Sequence, residues 1–234
     1  MSSESISVPT DAAAMPARRW LPPAGSGPGL VLFQEIFGVS DYIKRRAADL
    51  SALGYVVLAP EIYWRLDDAD IDESRPDFLD RAVAVAGRVD WGKAVSDGVA
   101  AVAALRADDC VRGSVGVVGF CFGGGLAFNV AADGDPDVLV SYYGSAIPGL
   151  LDRAKDVTAP SLHHFGLADA YLSADTVEQI RAAVSREGVR FETYPGAGHA
   201  FDNPHPVFHH AEASATAWRN TVDFLALHLP TEAR

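Results

Sequence analysis

Short apolar runs alternate with amphipathic stretches along most of the chain. Six apolar runs have the length of buried strands: 30–33, 55–60, 114–119, 138–143, 159–165 and 189–194. The amphipathic stretches predict helices at about these positions: 40–53, 76–86, 91–105, 123–132, 176–186 and 207–228. Strand and helix in strict alternation predict an α/β fold with a mainly parallel central sheet and helices on both faces.

A proline- and glycine-rich stretch at 22–29 precedes the first core strand. We interpret residues 1–29 as an N-terminal edge segment, a hairpin followed by this loop. The 234 residues fit one domain, because α/β folds often exceed about 200 residues undivided. We therefore expect residues 1–234 to form a single domain, with its ligand site beyond the carboxyl ends of the strands.

The strand at 114–119 runs directly into a glycine-rich turn, G-F-C-F-G at 119–123. This G-x-C-x-G pattern is the cysteine version of the nucleophile elbow, whose glycines let neighbouring backbones approach closely. Cys121 would start a helix whose dipole favours a thiolate, and the N–H of Phe122 would donate to an oxyanion. A buried core cysteine is the alternative, but this position favours a nucleophile. Cys110 has no such context, and we assign it no role.

Two later loops hold the residues that a cysteine nucleophile requires. Asp169 follows the apolar run at 159–165, and His199 follows the run at 189–194. This order, nucleophile then acid then histidine, is typical of enzymes with a nucleophile elbow. Asp175 precedes a helical stretch and suits a helix N-terminus better, and Asp202 follows the histidine too closely. We therefore predict a triad with Asp169 as the acid and His199 as the base.

A further carboxylate, Glu35, comes directly after the first core strand. The loop at this position normally supplies the second oxyanion donor, here the N–H of Ile36. A glutamate that faces the cleft favours a functional role over a surface charge. The sequence predicts no metal site: His163 and His164 lie inside a strand. Three further histidines lack a matching carboxylate or cysteine cluster: His205, His209 and His210.

The formal net charge of −12 disfavours binding to nucleic acid or to an anionic membrane surface. The polar N-terminus lacks the apolar run of a secretory signal, and no stretch approaches the roughly 20 apolar residues of a membrane helix. Two cysteines do not make a disulfide framework. We expect a cytoplasmic protein, a monomer or small homo-oligomer, whose partner is a small molecule.

Taken together, the motifs resemble those of the dienelactone hydrolase family of the α/β-hydrolase superfamily. Five motifs carry the resemblance: Gln34-Glu35-Ile36-Phe37-Gly38, Gly119-Phe120-Cys121-Phe122-Gly123-Gly124, Tyr142-Tyr143-Gly144, Asp169 and Gly198-His199-Ala200-Phe201. The resemblance implies a carboxylic ester hydrolase that opens a small lactone during aromatic-compound breakdown, without metal or organic cofactor. It also implies a thioester acyl-enzyme, and a hydrogen bond from the resting thiol to Glu35.

The resemblance departs from the family pattern where the substrate binds. The founding enzymes hold a substrate carboxylate with two arginines, and the place of one, shortly after the histidine, holds Asp202-Asn203 here. Asparagine does not easily replace bidentate arginine. Two alternatives stay open: a broader carboxylesterase or thioesterase acting on uncharged acyl compounds, and a non-catalytic thiol-reactive binding protein. Six residues are candidates for binding the substrate: Tyr63, Trp64, Arg65, Arg81, Tyr143 and Asn203.

Overall fold

A computed structural model describes residues 2–231, whose eight strands form one sheet. The strands are β1 (Glu4–Pro9), β2 (Ala14–Trp20), β3 (Gly27–Phe33), β4 (Val56–Pro60), β5 (Val111–Phe120), β6 (Leu139–Tyr142), β7 (Ser161–Gly166) and β8 (Val189–Tyr194). The α-helices are α1 (Asp41–Ala52), α2 (Phe78–Ala86), α3 (Trp91–Arg106), α4 (Phe122–Gly134), α5 (Ala174–Val184) and α6 (Ala211–His228). Two 3₁₀ segments, Ile62–Arg65 and Ile147–Asp156, were not predicted from the sequence.

The sheet is parallel except at its N-terminal edge. Its strand order is β1-β2-β4-β3-β5-β6-β7-β8. The first two strands form a hairpin, and β2 pairs with β4 in antiparallel fashion. All other neighbours pair in parallel. The predicted mainly parallel sheet is therefore confirmed, and its N-terminal edge hairpin agrees with the sequence-based interpretation.

The helices pack in groups against this sheet. Helices α3 and α4 contact each other, and both contact β5. Helix α1 contacts α6 through Arg46, whose guanidinium carbon lies 4.5 Å from the centroid of the Trp218 ring. The first ten residues of α4 are buried all round, as expected for a helix at the centre of the core.

Several predicted boundaries differ from the structure, among them those of the first core strand and the last helix. Strand β3 begins at Gly27, inside the stretch predicted as a loop, because its N–H donates to the carbonyl oxygen of Cys110 and joins it to β5. A Cβ on Gly27 would lie 2.1 Å from the carbonyl oxygen of Gly54. Helix α6 begins at Ala211 rather than near 207, because the His210 side chain accepts the N–H of Ala213 and caps the helix.

Strand β7 is buried along its whole length, including His163 and His164. Burial lowers the pKa of His163 to about 3 and that of His164 well below its usual value. Both imidazoles are therefore neutral core groups. Across residues 2–231, no helix has the length and apolar character to cross a bilayer, and no group of three or more His, Cys, Asp or Glu side chains could hold a metal.

Candidate active site

Four parallel strands carry the candidate catalytic side chains to one edge of the sheet. Glu35 follows β3, Cys121 follows β5, Asp169 follows β7 and His199 follows β8. Because the carboxyl ends of parallel strands meet at one edge, residues far apart in the sequence become neighbours. The structure thus brings together the four residues for which the sequence predicts catalytic roles.

Cys121 lies at the sharp turn between β5 and α4. Its backbone has φ 53° and ψ −114°, a strained conformation for a residue other than glycine. A Cβ on Gly119 would lie 1.9 Å from the carbonyl oxygen of Gly123, and one on Gly123 would lie 2.4 Å from that of Gln34. Both positions therefore need glycine. The resulting reversal leaves Cys121 just 7% exposed, at the start of α4.

A thiol, an imidazole and a carboxylate form a continuous chain of polar contacts. Cys121 Sγ lies 3.0 Å from His199 Nε2, and His199 Nδ1 lies 2.6 Å from Asp169 Oδ2. The other oxygen of Asp169 accepts the backbone N–H groups of Tyr171 and Leu172, at 2.7 and 3.1 Å. These two bonds fix the carboxylate, which in turn orients the imidazole toward the sulfur.

The electrostatics of this chain of contacts favour a protonated imidazole. Burial alone would lower the pKa of His199, but the charge of Cys121 and the hydrogen bonds to Asp169 and Cys121 raise it to about 10. The imidazole Nε2 lies 3.0 Å from the sulfur, within reach for a proton transfer between the two groups. The arrangement can therefore supply a nucleophile and a proton donor at the same place.

Glu35 is a buried carboxylate beside these groups, only 1% exposed. It accepts hydrogen bonds from Asn203 Nδ2 at 2.7 Å and from the Tyr143 hydroxyl at 3.3 Å. Burial raises its pKa to about 7, although both hydrogen bonds and the charge of His199 lower it. The hydrogen bond to Cys121 that the family resemblance implies is absent among the described residues, because the sulfur faces the imidazole instead.

A second buried carboxylate, Asp202, anchors the loop that carries the histidine. It accepts two hydrogen bonds from Arg46, Nε at 2.8 Å and Nη2 at 2.6 Å. The Tyr42 hydroxyl donates to it at 2.5 Å and Ser214 Oγ at 2.7 Å. The loop is thereby joined to helices α1 and α6. The sequence analysis set Asp202 aside as the triad acid but did not predict these partners.

The two buried carboxylates are connected through tyrosines. The Tyr143 hydroxyl contacts Glu35 and lies 3.4 Å from the Tyr42 hydroxyl, which in turn donates to Asp202. Burial, followed by the neighbouring acidic groups, raises the pKa of Tyr143 well above its ordinary value. Tyr143 therefore stays a neutral hydrogen-bond donor. The structure places this substrate-binding candidate against Glu35 rather than in an open cleft.

Two arginines that were candidates for binding the substrate are engaged elsewhere. Arg65 donates to Asp97 from Nε at 3.1 Å and from Nη2 at 2.7 Å. Asp97 is 1% exposed, and a buried carboxylate requires such a partner. Arg81 donates to Asp68 Oδ1 at 2.8 Å. The expectation that Arg65 or Arg81 anchors a substrate carboxylate is therefore not supported by where their guanidinium groups lie.

Of the two remaining aromatic candidates, Tyr63 contacts both residues that carry the predicted oxyanion donors, whereas Trp64 contacts Asp97. The Tyr63 hydroxyl donates to the carbonyl oxygen of Ile36 at 3.0 Å, and its ring centroid lies 6.0 Å from that of Phe122. Trp64 donates from Nε1 to Asp97 at 2.8 Å. Within residues 2–231, the backbone N–H groups of Ile36 and Phe122 have no backbone acceptor outside the regular elements. These two N–H groups remain the predicted oxyanion donors.

Tyr171 is a further residue of the site that the sequence analysis missed. Its ring makes an edge contact with the imidazole of His199, with centroids 5.1 Å apart and planes at 73°. Tyr171 is also 68% exposed, so its other face is open to a ligand. The available signal was an aromatic residue two positions after the predicted acid Asp169.

Comparisons with known proteins point to one family. The model of the dienelactone hydrolase family matches residues 15–229. A carboxymethylenebutenolidase from Pseudomonas sp. (strain P51) is 34% identical over 209 residues, which span 88% of this chain and 87% of that protein. A carboxymethylenebutenolidase from Pseudomonas putida is 31% identical over 229 residues, 97% of each chain. A proposed dienelactone hydrolase from Klebsiella pneumoniae has a TM-score of 0.84 at 26% identity, covering 96% of this chain and 98% of its own.

The family match covers β3 to β8, all but the first residue of β2, and all four residues that gather at the sheet edge. The relatives also align over nearly their whole length, so the likeness is that of complete domains. The fold is that of the α/β-hydrolases, and the protein is a hydrolase that acts on ester or lactone bonds. The chain belongs to the dienelactone hydrolase family.

Proposed function

We propose that the protein opens small lactones or esters through a Cys121–His199–Asp169 triad and a thioester acyl-enzyme. The observation that carries this proposal is the unbroken chain of contacts from Sγ through the imidazole to a buried carboxylate. A sulfur at a strained strand–helix turn beside an oriented base is the arrangement that nucleophilic catalysis requires. Two relatives named carboxymethylenebutenolidase support a lactone as one substrate.

In the acylation step, Cys121 Sγ attacks the carbonyl carbon and the carbonyl electron pair moves to oxygen. The N–H groups of Ile36 and Phe122 hold this oxyanion. The tetrahedral intermediate then collapses, the bond to the alkoxide oxygen breaks, and His199 Nε2–H gives that oxygen its proton. In a lactone the released hydroxyl stays attached to the acyl group, which remains bound to the sulfur as a thioester.

In the deacylation step, the neutral imidazole of His199 takes a proton from water. The hydroxide oxygen attacks the thioester carbon, the same two N–H groups hold the oxyanion, and the carbon–sulfur bond breaks. The thiolate leaves beside an imidazolium, so the starting ion pair is restored. Asp169 keeps the imidazole in one tautomer throughout, because its Oδ2 accepts from Nδ1.

Glu35 has an electrostatic role in this proposal. In the family, the matching glutamate bonds the resting thiol, whereas here it accepts from Asn203 and Tyr143. The charge of His199 lowers the pKa of Glu35, so the carboxylate and the imidazolium stabilise each other. An ionised Glu35 would therefore support the ion pair of the resting enzyme without touching the sulfur.

A second candidate function is a carboxylesterase or thioesterase for uncharged acyl compounds. Asn203 stands shortly after the histidine, where the founding enzymes carry an arginine, and its amide donates to Glu35. Arg65 and Arg81 are held by Asp97 and Asp68. A substrate carboxylate would therefore lack the bidentate partner that arginine supplies. This observation favours uncharged substrates over dicarboxylic ones.

The test is hydrolysis of a dienelactone and of a neutral 4-nitrophenyl ester by wild type, Cys121→Ala and Cys121→Ser. We expect no turnover with alanine and turnover at least about a thousandfold slower with serine, because a hydroxyl is much harder to deprotonate than a thiol. Cys110→Ala is the matched control, since Cys110 lies outside the site and should keep full activity.

Intact-mass measurement after rapid acid quenching tests the acyl-enzyme directly. We expect the mass of the acyl group on wild type and on Cys110→Ala, and none on Cys121→Ala. Turnover by Cys121→Ala at the wild-type rate would refute the cysteine mechanism. An adduct on a residue other than Cys121 would refute the assignment of the nucleophile.

A further inference from the structure

A cavity of about 810 Å³ lies between segments 34–44 and 61–74, and two of its lining residues, Gln34 and Tyr63, neighbour the elbow. Tyr63 lines this cavity, and its ring also packs near Phe122 at the elbow. Burial first, and then the charge of Cys121, raises the pKa of Tyr63. Tyr63 therefore borders both the cavity and the elbow, so the cavity neighbours the place where a substrate would meet Cys121.

The walls of the cavity carry an excess of negative charge. Two cations line it, Arg18 and Lys44, and each already pairs with an acidic residue of the wall, at 3.4 and 2.9 Å. The acidic residues that line it are Asp41, Glu61, Asp68, Asp70, Asp72 and Glu73. Among residues 2–231, the carboxylates of Asp70, Asp72 and Glu73 make no ion pair. A bound anion would therefore find no free cation there.

A buried hydroxyl without a partner lines the same cavity. Ser40 Oγ makes no hydrogen bond within residues 2–231, whereas the Gln34 side chain, 1% exposed, hydrogen-bonds the Tyr63 hydroxyl. An unpaired buried polar group is unfavourable, and a ligand oxygen that accepts from it would remove that penalty.

We propose that this acidic cavity receives the part of the substrate remote from the reacting carbonyl, and that the enzyme prefers esters or lactones whose remote group is uncharged or cationic over those carrying a carboxylate. The inference rests on the proposed function, because it assumes attack by Cys121. A neutral remote group with an acceptor oxygen fits the unpartnered donor at Ser40. A carboxylate would meet the like charges of the walls, a repulsion that is strongest at low salt because most of these side chains are exposed.

The experiment compares 4-nitrophenyl esters of six-carbon acids whose far end is a carboxylate, a primary amide or a trimethylammonium group. We expect kcat/KM for the carboxylate to be at least tenfold below that for the amide, and the trimethylammonium ester to match or exceed the amide. The gap should narrow as salt rises from 20 mM to 500 mM, because added ions screen the wall charges.

A double variant, Asp70→Asn with Glu73→Gln, tests whether the cavity causes the preference. It should narrow the gap between carboxylate and amide esters at least threefold. The matched control, Asp109→Asn with Asp223→Asn, makes the same change in net charge at exposed positions outside the cavity and should leave the gap unchanged. Equal or faster hydrolysis of the carboxylate ester by wild type would overturn the inference, as would an equal response of both double variants.

A second measurement separates this inference from the proposed mechanism. Alkylation of Cys121 by iodoacetate and iodoacetamide compares an anion with its neutral analogue and needs no turnover. The ratio of the iodoacetate rate to the iodoacetamide rate should rise in the cavity variant relative to the control variant. If no ester is hydrolysed, the proposed function fails. The alkylation ratio still tests whether the acidic cavity disfavours anions near Cys121, and an unchanged ratio overturns the inference.

Discussion

Replacing Glu35 by glutamine should make the protein more stable at neutral pH, and the gain should depend on pH. The carboxylate is 1% exposed, and burial raises its pKa from an ordinary 4.5 to about 7. A glutamine amide can keep both hydrogen bonds, since its oxygen accepts from Asn203 and its nitrogen donates to the Tyr143 oxygen. The variant therefore removes the ionisation and keeps the packing.

The magnitude follows from the difference between the two pKa values. Because the folded-state pKa is the higher one, the folded protein binds more protons than the unfolded chain between about pH 4.5 and 7. The contribution of Glu35 to stability is thus fully present below pH 4.5 and is lost as the pH rises through 7. A difference of that size corresponds to about 3 kcal/mol of unfolding free energy.

Urea denaturation followed by tryptophan fluorescence at several pH values between 4.5 and 8 measures this effect. We expect the free energy of unfolding of Glu35→Gln, relative to wild type, to rise by about 3 kcal/mol across that window. Glu187→Gln, at an exposed glutamate, is the control and should show no such trend. A difference between Glu35→Gln and wild type that stays constant with pH, or that falls, would refute the account of Glu35 as a destabilised buried anion.

Three further substitutions test other parts of the site. Asp202→Ala should lower the free energy of unfolding by about 3–5 kcal/mol, because it leaves the largely buried guanidinium of Arg46 without its carboxylate partner. Urea denaturation measures this, and a loss below about 1 kcal/mol would contradict it. Tyr171→Ala should raise KM for aryl esters up to about tenfold with little change in kcat, because the substrate loses an aromatic contact. A fall in kcat alone would argue against a role of Tyr171 in binding the substrate. Gly119→Ala should yield insoluble protein, because its Cβ would lie 1.9 Å from the Gly123 carbonyl oxygen. A soluble and active variant would contradict the close packing of the two backbones at this turn.

The sequence was informative wherever the cause of a structure is local. The strands buried on both faces appear as apolar runs, and the helices between them as amphipathic stretches, so the sheet and its order of elements could be predicted. The elbow could be predicted because the backbone leaves no room for a side chain at two fixed positions, one on each side of Cys121, and both positions hold glycine. Asp169 and His199 followed from their loops, since the ends of parallel strands converge.

Contacts between distant residues could not be predicted in the same way. The partner of Asp202 is Arg46, far earlier in the chain, and nothing in the residues around either one indicates the pairing. Arg65 was a candidate for binding a substrate carboxylate, yet its guanidinium neutralises Asp97 within the fold. A charged side chain binds the nearest buried opposite charge, and which charge is nearest depends on the packing of the whole molecule.

Asn203 shows how one such contact affects both the buried carboxylate of Glu35 and the proposed substrate. A guanidinium at that place would pair with Glu35 and hold the carboxylate ionised, whereas the neutral amide gives it one hydrogen bond at 2.7 Å. Burial then prevails, and the pKa of Glu35 rises to about 7. A carboxylate on the substrate would lack the same guanidinium and would also face the acidic cavity wall. A site without an arginine beside its own buried acid also lacks a cation to bind a carboxylate of the substrate. The neutral Asn203 amide and the acidic cavity wall therefore both favour an uncharged substrate.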